Sequence, residues 1–158
     1  MLVLGIDPGL GVTGFSILES KKNQVRLAAY GTIKPNSKDN LPKRLNYLFE
    51  EVNKILDKFL PDVIVVEDAF YSKNVKSAMI LGQARGSIIL SAAQADIPVF
   101  EFAPRKVKMS VCGNGAASKE QVSYMVTKIL KLKEPPKPLD ISDSMAVGLC
   151  YINQARFL

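Results

Sequence analysis

The chain has 158 residues, of which 47% are hydrophobic and 23% charged, a composition typical of a globular protein that buries its own core. It contains no histidine, which excludes Ser-His-Asp and Cys-His nucleophile systems and any His-ligated zinc site. The net charge of +6 favours a polyanionic partner, and no apolar stretch reaches the roughly 20 residues that a membrane span needs.

The first half of the chain predicts a three-stranded antiparallel meander, a helix and a fourth strand. Apolar runs bounded by turn residues predict strands at 2–6, 13–19, 25–33 and 63–66. Apolar residues recurring every three or four positions predict a helix over 41–60, which Pro61 ends. The continuous apolar character of 2–6 and 63–66 indicates central strands that are covered on both faces.

The second half predicts a fifth strand between helices. We expect a long helix over 75–95, a strand over 97–102 and a helix over 119–131 that begins with a capping box at Ser118. The proline-rich stretch 134–138 is predicted to be a non-helical spacer before a last helix from about 141 to 155. The resulting fold class is α/β, a mixed five-stranded sheet with helices on both faces, in an order similar to that of ribonuclease H-like domains.

Four acids stand at positions where these elements end or begin. Asp7 ends the first strand, Glu67 ends the fourth, and Asp140 and Asp143 lie three residues apart at the start of the last helix. Carboxylates gathered at one edge of a sheet repel one another unless a cation neutralises them, and Mg²⁺ prefers oxygen ligands. Two ions about 4 Å apart, with Asp7 shared between them, would suit phosphodiester hydrolysis.

Each acid also has an ordinary structural role open to it. Asp7 in Asp-Pro-Gly could form a turn, and Glu67 could be a solvated strand end. Asp140 could be a helix N-cap, and Asp143 could complement the helix dipole. The joint pattern, rather than any one acid, favours a metal site.

Several motifs resemble those of the RuvC family of Holliday-junction resolvases, and the resemblance covers nearly the whole chain. The matching segments, in chain order, are Gly5-Ile6-Asp7-Pro8-Gly9-Leu10 with Thr13-Gly14, Val66-Glu67-Asp68-Ala69-Phe70, Asn74 with Leu81-Gly82-Gln83-Ala84-Arg85-Gly86, 104–108 with Gly113-Asn114-Gly115 and Lys119, and Asp140-Ile141-Ser142-Asp143. The order and spacing of these segments make the resemblance specific, although the first motif is shared with other ribonuclease H-like proteins.

The resemblance implies a set of functional residues. The metal-binding catalytic acids would be Asp7, Glu67, Asp140 and Asp143, holding two Mg²⁺ ions that Mn²⁺ could replace. The DNA-binding residues would be Phe70, Tyr71, Arg105, Lys106, Lys108 and Lys119. Lys108 and Lys119 would lie near the scissile phosphate, although a solvated basic face is the alternative for them. Phe70 could stack on bases at the junction centre or pack in the core, and Tyr71 could serve either way.

The resemblance also implies the partners. It predicts a single ribonuclease H-like nuclease domain over 1–158 that acts on four-way DNA junctions as a homodimer. It also predicts a cytoplasmic location without membrane contact, and the RuvA/RuvB branch-migration complex as a partner. Gly82, Ala84 and Gly86 could mark the dimer interface or ordinary core packing. The competing functions are an actin-like ATPase, a related nuclease acting on another nucleic acid, and a non-catalytic DNA-binding module.

Overall fold

The computed structural model describes residues 1–22, 24–69 and 74–155. Within these residues the chain forms five strands and five helices. In chain order they are β1 (Leu2–Asp7), β2 (Thr13–Lys21), β3 (Gln24–Ile33), α1 (Leu41–Phe59), β4 (Val63–Glu67), α2 (Val75–Gln94), β5 (Val99–Phe102), α3 (Pro104–Cys112), α4 (Lys119–Ile129) and α5 (Leu139–Ala155). Every predicted strand and helix is present within a few residues of its expected bounds.

The five strands form one mixed sheet in the order β3-β2-β1-β4-β5. The meander β1-β2-β3 is antiparallel, whereas β1 pairs with β4, and β4 with β5, in parallel. In the β1–β4 ladder Ile6 lies opposite Val66, so the residues that follow, Asp7 and Glu67, come to the same edge of the sheet.

Helices cover both faces of this sheet, as predicted. Leu4 and Ile6 of β1 pack into one core cluster with buried residues of α1 and α2, such as Leu48 and Ile88. Val3 points to the opposite face, into a cluster built with α3, α4 and α5. Because side chains alternate along a strand, Asp7 faces the same side as Val3 and therefore the α5 side.

One helix was not predicted. Residues 104–108 were assigned from sequence only to a family motif, with no helix predicted there, but residues Pro104–Cys112 form α3. Pro104 occupies its first turn, Val107 and Val111 are buried one turn apart, and Gly113 ends it with a φ of 69°. The helical signal was present in the sequence: a proline start, an i, i+4 apolar pair and a glycine stop.

The last helix is the most deeply buried. Residues 141–150 are all buried, and α5 contacts all five strands of the sheet as well as α3 and α4. It begins at Leu139, two residues earlier than predicted, so Asp140 lies inside the helix and does not cap it. Among the described residues, no helix combines the length and the apolar character needed to cross a membrane.

Candidate active site

The ends of β1 and β4 bring Asp7 and Glu67 together. Both residues follow buried runs of their strands, and both share the strand face that Val3 and Val65 present to α5. The two carboxyl groups lie close enough to interact: the charge of Glu67 raises the pKa of Asp7, and contact with Asp7 partly offsets the rise in the pKa of Glu67. Two ionised carboxylates this close repel one another, so the pair favours binding a proton or a cation.

Glycines allow α5 to approach the same edge of the sheet. A Cβ atom at Gly5 would lie 2.1 Å from the Ser144 carbonyl oxygen, and one at Gly14 would lie 2.1 Å from the Asp140 carbonyl oxygen. Gly14 is paired with Asp7 across the β1–β2 ladder. The backbone of α5 therefore rests directly on β1 and β2, which places Asp140 and Asp143 beside Asp7.

Lys119 contributes a positive charge to this cluster. Its Nζ donates a hydrogen bond to Asp143 Oδ2 at 3.0 Å. Lys119 is the first residue of α4, whose start is fixed by reciprocal capping between Ser118 and Gln121. A hydrogen bond of 3.1 Å between the Ser142 and Ser123 hydroxyls joins α4 to α5 behind the ion pair. The Lys119 side chain is 60% exposed, so it also reaches solvent.

The basic residues of α3 divide into two groups. Lys108 is half-buried and lies close enough to Glu67 and Asp143 to lower the pKa of each. Arg105 and Lys106 are exposed. Lys106 Nζ lies 4.8 Å from the centroid of the Phe102 ring, and the Arg105 side chain packs over Gly115. Lys108 thus joins Lys119 beside the acids, while Arg105 and Lys106 extend the basic surface outward.

Burial and mutual repulsion raise the pKa values of three acids. Desolvation, followed by the charges of Glu67 and Asp143, raises the pKa of Asp7 to about 9. Burial and Asp143 raise the pKa of Glu67, and burial raises the pKa of Asp143 despite its pairing with Lys119. Burial alone would lower the pKa of Lys119, but Asp143 raises it overall. A cluster of this kind favours binding either protons or cations.

Comparison with known proteins assigns the chain to a family. The sequence profile described as "Crossover junction endodeoxyribonuclease RuvC" matches residues 3–151. The chain belongs to the RuvC family. It is 45% identical to the crossover junction endodeoxyribonuclease RuvC of Finegoldia magna, over 99% of this chain and 96% of that protein.

Solved structures of the RuvC family share the whole fold. The Thermus thermophilus RuvC structure is 32% identical, with a TM-score of 0.89 over 99% of this chain and 96% of that one. The structure of T. thermophilus RuvC in complex with a Holliday junction substrate is 29% identical, with a TM-score of 0.90 and the same coverage. These matches confirm the resemblance and the predicted ribonuclease H-like architecture.

The donor set of this RuvC-family chain suits a hard divalent cation. All of its candidate ligands are carboxylates, and the raised pKa values of Asp7 and Glu67 show a site that disfavours uncompensated negative charge, which a cation would neutralise. Within the described residues, no three Asp, Glu, Cys or His side chains converge closely enough to enclose an ion by themselves. Mg²⁺ does not require such a cage, since it keeps several waters and binds through one or two carboxylates.

Two predicted DNA-binding residues, Phe70 and Tyr71, lie outside the described residues. The structure brings together the four predicted acids, Lys108 and Lys119, and it places Ala84, at 0% exposure, in the core rather than at a surface. Sequence reasoning missed the packing role of Gly5 and Gly14. Small residues on strands that face a helix were the available signal.

Proposed function

We propose that this RuvC-family chain is a Mg²⁺-dependent endonuclease that resolves four-way DNA junctions by paired, symmetric nicks, in homologous recombination and DNA repair. The observation that carries the proposal is the cluster of Asp7, Glu67 and Asp143, whose pKa values are raised by burial, beside two lysines. The T. thermophilus relative in complex with a Holliday junction substrate supports the choice of DNA structure.

Asp7, Glu67, Asp140 and Asp143 would hold two Mg²⁺ ions, and we expect Mn²⁺ to substitute. When bound, the ions would activate a water for attack and stabilise the leaving 3′-oxygen. We propose that Asp7 is the shared ligand, because Glu67 and Asp143 both raise its pKa and therefore both lie near it. The remaining acids would keep the ions in place and would not need to transfer protons themselves.

The lysines would bind the phosphate that is cut. Lys119 holds Asp143 at 3.0 Å, and its side chain is still 60% exposed, so it can face a phosphate oxygen at the edge of the site. Lys108 acts on Glu67 and Asp143 from α3. Positive charge fixed at this position stabilises the charge that develops on the phosphate. Arg105 and Lys106 would contact the DNA backbone farther from the acids.

We propose that α2 forms the homodimer interface. Its exposed face carries apolar and small residues at helical spacing: Val75, Met79, Gly82, Gly86 and Leu90. Val75 is 77% exposed and Met79 is 62% exposed, and apolar residues grouped on one exposed face mark interaction sites more than scattered ones do. A Cβ at Gly82 or Gly86 would meet nothing within 4 Å, so a second helix could approach closely there. Twofold pairing through α2 would set two active sites in a fixed relation.

Docking to the RuvA/RuvB branch-migration complex and a cytoplasmic location stay predictions from the family. Both predictions would follow from the proposed substrate, because a four-way junction that branch-migrates lies in chromosomal DNA, where the nuclease would have to meet it. No described surface distinguishes a docking site for that complex.

The test of the proposal is single-turnover cleavage of a synthetic four-way junction by the purified protein, with Mg²⁺ or with EDTA. We expect cleavage with Mg²⁺ only, and none by Asp7→Asn. Asp57→Asn, which removes an exposed acid on α1, is the matched control and should cut like the wild type. Equal cleavage by Asp7→Asn, or cleavage in EDTA, would overturn the proposed site.

A further inference from the structure

Three charged side chains form an ion cluster on the side of the sheet that α1 and α2 cover. Arg85 Nε of α2 donates to Glu101 Oε1 of β5 at 2.6 Å, and its Nη2 lies 2.5 Å from the same oxygen in an ion pair. Its Nη1 lies 2.9 Å from Asp68 Oδ1. The candidate active site lies on the opposite side of the sheet, so none of the roles proposed above uses this cluster.

The cluster acts on the residue next to Glu67. Asp68 N donates to the Phe102 carbonyl oxygen at 2.9 Å, which extends the pairing of β4 with β5 by one residue beyond Glu67. Glu101 lies opposite Val66 in the same ladder. Arg85 therefore binds Asp68, which follows Glu67, and Glu101, which lies opposite the residue before Glu67 in the β4–β5 ladder. Since side chains alternate across a strand, fixing Asp68 on one face fixes the direction of Glu67 on the other.

The contacts are sheltered enough to hold this geometry. The side chains of Arg85, Asp68 and Glu101 are 22%, 21% and 34% exposed, so solvent screens them less than a fully exposed pair. Asp68 Oδ1 is buried and makes no well-directed hydrogen bond within the described part of the chain. The ion pair with Arg85 is thus the contact that offsets its burial. A lysine could not replace this planar fork, because an ammonium group cannot span both acids in the same way.

Arg85 also connects this edge to the proposed dimer face. It lies on α2 between Gly82 and Gly86, next to the exposed stripe but half-buried itself. α2 follows β4 in the chain and returns along the sheet, so Arg85 ties the two elements together a second time. A rigid connection of this kind would keep Glu67 in a constant position relative to α2, the proposed interface helix.

We propose that Arg85 is a positioning residue for Glu67: by clamping Asp68 and Glu101 it holds the end of β4 so that Glu67 can bind metal. The inference rests on the proposed function for the role of Glu67, but the clamp itself rests on the contacts above. A purely structural ion cluster would contribute to fold stability without affecting the metal affinity of a site on the other face.

The test compares Arg85→Ala, Arg85→Lys and Glu101→Gln with a control, Arg26→Ala. Arg26 pairs with Glu19 across the β2–β3 hairpin, and its side chain is 76% exposed. The first readout is Mn²⁺ binding to the DNA-free protein, measured through the EPR signal of the Mn²⁺ that stays free in solution. The second readouts are the single-turnover cleavage rate at several Mg²⁺ concentrations, the junction Kd in EDTA, and the Tm.

We expect Arg85→Ala to weaken Mn²⁺ binding about 10-fold and to raise the half-saturating Mg²⁺ concentration similarly, as for other residues that orient metal ligands. The cleavage rate should fall about 10²-fold, because small misplacements of a reacting group have effects of that size. Junction Kd should stay within about 2-fold, since affinity is carried mainly by phosphate contacts that this change leaves in place. Arg85→Lys and Glu101→Gln should reduce Mn²⁺ affinity and cleavage rate less than Arg85→Ala does. Arg26→Ala should change neither.

The proposal is wrong if Arg85→Lys and Glu101→Gln, both folded, bind Mn²⁺ and cleave like the wild type. It is also wrong if Arg85→Ala lowers only the Tm, with Mn²⁺ affinity unchanged. A wild-type protein that binds Mn²⁺ but cuts no junction would contradict the proposed function instead. In that case the Mn²⁺ comparison among the variants still decides whether Arg85 positions Glu67.

Discussion

Asp7 is the residue on which the site depends most. Its carboxyl group stands at the end of a buried strand, and its pKa is raised by burial and by the charges of Glu67 on β4 and of Asp140 and Asp143 on α5. A pKa of about 9 means that in the metal-free protein this side chain is neutral at pH 7, which is unusual for an aspartate. The same environment that favours a proton at low metal concentration would favour a cation when one is present.

This pKa predicts how the stability of the metal-free protein depends on pH. Because the folded state keeps a proton on Asp7 that the unfolded chain releases above about pH 4, the free energy of unfolding falls as the pH rises from about 4 to 9. Asp7→Asn removes the contribution of Asp7 to this dependence, because the amide does not titrate. In EDTA at pH 8 we expect Asp7→Asn to have a higher Tm than the wild type. The increase should be roughly 2–4 °C for each 1 kcal/mol by which the substitution raises the free energy of unfolding.

Thermal denaturation of both proteins at pH 5 and pH 8 checks this prediction. The difference in Tm should narrow at pH 5, and adding Mg²⁺ at pH 8 should raise the Tm of the wild type but not that of Asp7→Asn. A wild-type Tm above that of the variant at pH 8 in EDTA would show that Asp7 is not held neutral by its surroundings.

At the scale of elements, the site depends on the direct contact of α5 with β1 and β2. We expect Gly14→Ala to reduce junction cleavage about 10²-fold, because the new methyl group would lie 2.1 Å from the Asp140 carbonyl oxygen and would displace the first turn of α5. Gly11→Ala is the matched control, since a Cβ at Gly11 meets nothing within 4 Å. Single-turnover cleavage measures both variants. Equal rates would mean that the position of α5 does not limit catalysis.

The sequence was sufficient to predict these elements wherever one residue pattern decided them. Continuous apolar runs predicted β1 and β4, and with them the meeting of Asp7 and Glu67. The capping box at Ser118 located the start of α4. α3 was missed because its basic residues were interpreted for charge alone, although Val107 and Val111 carried the helical spacing.

Other features could not be predicted because they depend on the relative placement of elements. The sequence does not reveal that Arg85 faces Asp68 and Glu101, since those residues are brought together only when α2 packs across the β4–β5 edge. Likewise, Gly82, Ala84 and Gly86 looked equivalent in the sequence. Packing separates them, with Ala84 in the core and the two glycines exposed.

For the whole molecule, the proposed paired cutting would need two active sites and therefore two copies of the chain. We expect Gly82→Arg to block dimerisation through α2 while the monomer stays folded, because the side chain would extend into open space in the monomer. Light scattering after size exclusion should give about twice the chain mass of 17.3 kDa for the wild type and the single mass for the variant. Tyr124→Arg, at an exposed aromatic on α4, is the control and should stay dimeric. A dimeric Gly82→Arg would place the interface elsewhere.

Symmetric, metal-dependent cutting of four-way junctions is the activity proposed for this chain. The most direct test maps the cleavage sites on a synthetic four-way junction, with each strand end-labelled in turn, beside a linear duplex of the same sequence. We predict nicks in Mg²⁺ at matching positions on two opposed strands, and no cutting of the duplex. Cleavage of the duplex at the same rate, or junction binding without nicks in either Mg²⁺ or Mn²⁺, would show that the chain is not a junction-resolving nuclease.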